Sequence, residues 1–362
     1  MKVFNKIEKN KPPGNILNTI SNEINNLRYS IDENYFKKIS GENACLGSFL
    51  FILAMLGAVL NIPCFLTLDS SSIFLRIIWR HLILVILLIP KVYYDISSLG
   101  DKMTKVFGSA NMFNIFFLSI INTIWMFLFY YAASHTFAAH TLLLQLPMLF
   151  LTLWKIITKE TTTFIEIIGI STCVLGAYWI CNEGVTIDRR DIILGDLSSF
   201  FSSILGAIYI NKASKMTDKT IPASVFLAMM GAYVIVLSMI LSAFVGETIS
   251  FLSFDPIFGV FGLFSSLENI IYGCLGMGLL SGFALYYYSI KASEFISPMF
   301  VNTTFNAAPF LSQITCYILG VQGFPGSYTA YGGFWLFIGC TLLSMTYEDH
   351  KDMLSKFPFY SK

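Results

Sequence analysis

Two otherwise apolar stretches of this 362-residue chain carry polar side chains at helical spacing, and these side chains have chemistry to offer. Between residues 295 and 319, Asn302, Asn306, Pro309 and Gln313 are separated by steps of four, three and four, which places them on one face of a helix. Between 136 and 157, Thr141, Gln145, Met148 and Thr152 repeat those steps, and Lys155 follows three residues on. His140 and Asn302 each stand seven residues before a proline, Pro147 and Pro309. Amides, hydroxyls and an imidazole in that setting bind a polar solute by hydrogen bonds, helped by backbone carbonyls that a proline frees. The same groups also act as glue between helices, worth about 0.6–2 kcal/mol per contact. Both readings stand on the residues alone.

A second set is charged or titratable. Arg76 and Arg80 lie one helical turn apart with His81 beside them. An arginine fork suits carboxylate or phosphate, so the pair reads as a cationic wall for an anionic solute or as half of a salt bridge closing an outer gate. It also reads as two side chains snorkelling to a nearby membrane surface. Glu166, Asp196, Glu268 and Glu294 all fall near the ends of apolar segments, which favours exchange or facilitated diffusion over coupling through a deep carboxylate. His135 and His140 keep proton coupling in play, because imidazole titrates near neutrality, although a neutral structural histidine explains each as well. Tyr130 and Tyr131 recur in kind as Tyr286–Tyr288, so Tyr130, Tyr131 and Tyr287 are gate candidates, with an interfacial tyrosine belt as the alternative. The seven cysteines show no CxxC and no neighbouring histidine at ligand spacing, so no metal site and no cofactor is expected. With no GxSxG, no HExxH and no paired carboxylates inside an apolar segment, an enzyme is not expected.

The elements that must position these residues follow from composition. With 55% apolar, 16% aromatic and 12% charged residues, the chain cannot dress a water-facing surface, which ordinarily takes about 25% charge. Its apolar runs have the length of about 18–25 residues that crosses a hydrocarbon core. The fold class expected is an all-α polytopic membrane protein with ten transmembrane helices, at 45–67, 73–94, 111–133, 136–157, 163–182, 191–212, 222–245, 268–290, 295–319 and 329–346. Ile257–Leu267 is apolar but short, and suits a re-entrant or interfacial piece. Residues 1–44 read as a polar cytosolic tail without a cleavable signal, and Ile16, Ile20, Ile24, Leu27 and Ile31 give it one apolar helical face. Residues 347–362 read as a second cytosolic tail. With the N-terminus inside, nineteen Lys and Arg fall on that side against Arg189 and Arg190 on the other, while Arg76 and Arg80 lie within a span. Both termini are therefore expected in the cytosol. The membrane of residence is open between plasma membrane and endomembrane. A net charge of +1 and no basic, aromatic-laced patch give no reason to expect nucleic acid. The partners expected are the lipid bilayer and a small-molecule solute, with a homodimer left open.

The chain also carries an internal duplication. Leu56-Gly57-Ala58 matches Leu205-Gly206-Ala207, Tyr130-Tyr131 matches Tyr286–Tyr288, and Gly169 and Gly176 match Gly332 and Gly339 in spacing. The halves are 45–182 and 191–346, joined by a linker at 183–190. Five spans per half is odd, so the second half enters the membrane upside down relative to the first, as in alternating-access carriers.

In these features the chain resembles the drug/metabolite transporter superfamily of the tandem, EamA-like type. The resemblance covers about 45–346. It rests on Leu75-Arg76 opening a span that ends in Pro90, Leu146-Pro147, Lys159-Glu160, Gly195-Asp196-Leu197, Ser297-Pro298 and Ala308-Pro309. It implies a ten-span carrier with a central cavity lined largely by the proline-bearing spans four and nine. A Lys-Glu pair closing span four has no counterpart at Gly320-Val321-Gln322. The function expected is secondary transport of a small organic metabolite by alternating access. The alternatives are a nucleotide-sugar or phosphorylated-sugar antiporter that uses Arg76 and Arg80, and a non-transporting membrane scaffold or receptor.

Overall fold

The computed structural model describes residues 44–68, 70, 72–100, 103–145, 149–150, 153, 156–157, 163–182, 189–217, 221–295 and 305–356. The described residues form helices α1 (Ala44–Thr67), α2 (Ile73–Leu99), α3 (Ser109–His135), α4 (Ala138–Leu143), α5 (Phe164–Cys181), α6 (Arg189–Thr217), α7 (Ala223–Val245), α8 (Asn269–Tyr288), α9 (Ala308–Ile318) and α10 (Ser327–Lys356), with further short helices at Met103–Val106 and Ser289–Phe295 and no β-strand among them. Seven stretches of these residues are long and apolar enough to cross a bilayer, within α1, α2, α3, α5, α6, α7 and α8 with its extension to Ala292. The protein is an all-α, multi-pass membrane protein. Expected spans 136–157 and 295–319 are described only in part, as α4 and α9. The polar tail, Pro147 and Asn302 lie outside the described residues.

Local chemistry sets the helix ends. Ser72 accepts a hydrogen bond from the Leu75 amide and so caps α2, and its hydroxyl also donates to Glu247. Thr163 and Glu166 form a reciprocal capping box that opens α5, which accounts for an acidic residue at that helix end. Pro309 sits at the start of α9, where a missing amide hydrogen removes no helical bond.

Helix partners follow a regular scheme: α1 lies on α8, α2 on α7, α3 on α6, α4 on α9 and α5 on α10. Exchanging residues 45–182 with 191–346 maps every one of these pairs onto another or onto itself. Small residues let the backbones approach, as is usual where helices associate without a hydrophobic drive. A β-carbon on Gly57 would collide with the Leu280 carbonyl of α8, and one on Gly206 would press on the Trp125 ring of α3. Both Leu-Gly-Ala triplets thus lie at seams between helices. Gly176 and Gly332 face each other across the α5–α10 seam in the same way.

α8 is wound with π-type i→i+5 bonds over Asn269–Tyr288. The connection 246–267 joins α7 to α8. It folds into a short 3₁₀ turn, Val260–Phe264, whose Val260 carbonyl accepts the Trp79 indole at 2.8 Å. Phe251, Leu252, Phe254 and Leu267 remain exposed on it. The largest apolar cluster, including Phe65, Leu75, Trp79, Met230 and Leu263, joins α1, α2, α3, α7 and α8, and a smaller one joins α4, α5 and α10.

Candidate functional site

Arg80 lies two turns into α2 and is 1% exposed, so it neither snorkels nor faces an open gate. Its Nη1 donates to the Tyr130 hydroxyl at 2.6 Å and to Asn61 Oδ1 at 3.2 Å, and its Nη2 donates to the Ser281 carbonyl at 2.6 Å. Tyr130 in turn donates to Asn61 Oδ1 at 2.8 Å. The Tyr286 ring centroid lies 5.1 Å from the guanidinium carbon, and Tyr209 is within electrostatic range. Four helices, α1, α2, α3 and α8, therefore meet on one cation, and each of its hydrogen-bond partners is neutral. On insertion scales a central arginine costs about 2.5–3.5 kcal/mol, so an unbalanced one is retained for a reason.

The same neighbourhood holds buried donors without acceptors: Arg80 Nε, the Tyr286 hydroxyl and Trp125 Nε1. Trp125 stands beside Tyr209, with ring centroids 5.5 Å apart. Buried polar groups are nearly always paired, so these orphaned donors near an unbalanced cation call for an acceptor.

Arg76 does something else. Its guanidinium reaches back over the end of α1 and donates to the carbonyls of Phe65 at 2.8 Å and Leu68 at 2.9 Å, and to that of Ser70. It also lies 4.4 Å over the Phe65 ring. This is a cation satisfying the terminal carbonyls and the negative dipole end of a helix. The two arginines diverge rather than forming one wall. His81 points away as well, with Nδ1 2.8 Å from the Ile77 carbonyl of its own helix.

A second polar cluster closes the end of the bundle where α3 turns into α4. His140 Nδ1 lies 3.1 Å from Asp196 Oδ1, and its Nε2 lies 2.6 Å from the Thr329 hydroxyl. Thr136 donates to the same Asp196 oxygen at 2.8 Å. The first amides of α4 are taken up by side chains from the second half, Ala138 by Gln322 and Ala139 by Gln313, each at 2.8 Å. Four residues of the second half thus clamp one corner of the first. Asp196 lies near a helix end as the spacing predicts, yet it is buried and paired with His140.

Of the polar stripe expected on span four, Thr141 bonds its own Phe137 carbonyl, its carbonyl accepts from Ser199, and Gln145 donates to Ser202 of α6 at 3.1 Å, while Met148, Thr152 and Lys155 lie outside the described residues. On α9, Gln313 accepts from the Ala139 amide of α4, and Asn306 is half-buried with its amide nitrogen unpartnered. Of the tyrosines, Tyr130 reaches Arg80, Tyr131 stacks on His135 at 4.0 Å, and Tyr287 packs on Phe283 at 5.4 Å. The tyrosine of the second half that approaches Arg80 is Tyr286. Asn61, Trp125 and Gln322 belong to these clusters and were not singled out by spacing, while Tyr286 entered as part of the Tyr286–Tyr288 triplet. Asn61 was open to discovery as the one amide in an apolar run, whereas the Ser281 carbonyl carries no side-chain signal.

No protein-family model matches the chain, and no curated protein matches it. A solved structure described as "Crystal structure of protein" is similar, with a TM-score of 0.52 and 15% identity, over 85% of this chain and 99% of that one. At that identity the likeness concerns the fold alone.

Proposed function

We propose that this protein is a secondary transporter of a small organic metabolite, of the EamA-like drug/metabolite kind, working by alternating access between two inverted five-helix halves with both termini in the cytosol. The observation that carries the reading is the helix pairing, which is unchanged when the two halves are exchanged and is matched by duplicated glycines and tyrosines at corresponding seams. Two similar halves of odd span number are the architecture that rocks about a central site. The clamp of Gln313, Gln322, Asp196 and Thr329 on the α3–α4 corner has the character of a closed gate, because it joins one half to the other at a single end of the bundle. Arg80 and its orphaned donors lie between the halves, in contact with α8 from the second and α1 and α3 from the first.

A nucleotide-sugar or sugar-phosphate antiporter draws on a pair of arginines, and here Arg76 is occupied with the end of α1. The test is uptake of labelled amino acids, organic acids, sugars and nucleotides into proteoliposomes, with and without counter-solute inside. Saturable uptake accelerated by counter-solute is expected. Absence of saturable uptake for every class, with a folded protein, would leave a scaffold or receptor as the account.

A further inference from the structure

Resting on the carrier reading, we infer that the Arg80 cluster binds the carboxylate of an organic monoanion whose body is apolar or aromatic. Charge sets the valence. Arg80 is buried with only neutral hydrogen-bond partners, so a single negative charge neutralises it, while a dianion would bring a second, unbalanced charge into the same low-dielectric space. The other nearby arginine is turned onto the carbonyls that end α1 and offers nothing to a second charge.

Donor geometry sets the headgroup. Three of the five N–H bonds of Arg80 serve Tyr130, Asn61 and the Ser281 carbonyl, which leaves Nε and one hydrogen of Nη2. The Tyr286 hydroxyl and Trp125 Nε1 are further buried donors nearby. These donors suit the two oxygens of a carboxylate. The walls set the body: the Tyr286 ring and the Met126 thioether touch the guanidinium, and Tyr209, with Trp125 beside it, stands within electrostatic range. Tyr130 is held by Asn61 and stacked on Phe65 at 4.2 Å, so it is already fixed and orders the arginine rather than the guest.

The test measures binding to the full-length protein in detergent at neutral pH, by thermal shift and by equilibrium dialysis of labelled benzoate. Hexanoate, succinate, inorganic phosphate, glucose and choline serve as competitors. Benzoate and hexanoate are expected to raise the melting temperature and to compete with one another, with the remaining solutes inert. Tyr286→Phe and Trp125→Phe each remove one orphaned donor while keeping the ring. Each is expected to weaken benzoate binding about tenfold, the change that accompanies loss of one hydrogen bond to a charged group. Arg80→Lys is expected to abolish the shift, and the two ring-preserving variants keep the test sharp if that variant fails to fold. Equal competition by phosphate or succinate overturns the single-charge site. Unaltered affinity in both Tyr286→Phe and Trp125→Phe overturns the donor assignment. Saturable uptake of a neutral or cationic solute, with no anion bound, overturns the anion site while the carrier reading stands. No solute of any class bound or moved overturns both.

Discussion

The Tyr130 hydroxyl accepts a hydrogen bond from Arg80 Nη1 at 2.6 Å and donates one to Asn61 at 2.8 Å, so a single phenol fixes both the buried cation and the amide that shares it. The corresponding tyrosine of the second half, Tyr286, presents its ring to the same guanidinium.

Tyr130→Phe removes that link and leaves the rings stacked on Phe65. Loss of a hydrogen bond to a charged group costs about 1.5–3 kcal/mol, so a clear fall in thermal unfolding temperature is expected. Phe65→Leu, which keeps the phenol, is expected to cost less. A Tyr130→Phe protein melting at the native temperature would show that Arg80 is held by its other partners alone.

His140→Ala leaves Asp196 buried beside Thr136 with its imidazole partner gone. An unsatisfied buried group costs about 1–3 kcal/mol, and more when charged, so this variant is expected to be less stable than Thr329→Val, which removes only the hydroxyl at Nε2. Calorimetry of both variants in the same detergent checks the order. The reverse order would mean that the Thr329 contact, not the carboxylate, dominates the corner.

Gly176 and Gly332 oppose one another across α5 and α10, and a β-carbon on Gly176 would stand 2.7 Å from the Gly332 carbonyl. Gly176→Ala is expected to cost about 1–3 kcal/mol through overpacking. Gly323→Ala, where nothing lies within 4 Å, is expected to leave stability unchanged. Equal effects of the two would place the seam elsewhere.

The same seam brings Cys173 Sγ within 3.9 Å of Cys340 Sγ. Treatment with a membrane-permeant oxidant is expected to join them within one chain, detected by mass spectrometry of the non-reduced protein, because small side-chain rotations suffice to reach bonding distance. The link is expected to disappear in Cys340→Ser. Its absence in the native protein under conditions that oxidise exposed Cys181 would contradict the α5–α10 pairing.

Gln313 and Gln322 hold the first amides of α4. Replacing both by Leu is expected to raise the reactivity of an Ala139→Cys probe toward a water-soluble thiol reagent, because the corner loses its ties to the second half. Unchanged reactivity would indicate that the Asp196 and Thr329 contacts alone keep the corner shut.

The residues by themselves determined that the chain is α-helical and that it lies in a bilayer. Those properties depend on local quantities: the length of an apolar run against the thickness of hydrocarbon, a threonine and a glutamate three residues apart, a proline at a helix start. That Gly57, Gly176 and Gly332 stand where two backbones touch is a finding of the tertiary structure. Partnership was beyond such reasoning. Helical spacing puts Thr141 and Gln145 on one face but does not say that the face meets Ser199 and Ser202. Arg76 and Arg80, one turn apart, part company because one reaches the end of α1 and the other the space between α1, α3 and α8. Only the tertiary structure decides this, since a hydrogen bond depends on distances of a few tenths of an ångström between atoms as far apart in the chain as Arg80 and Ser281.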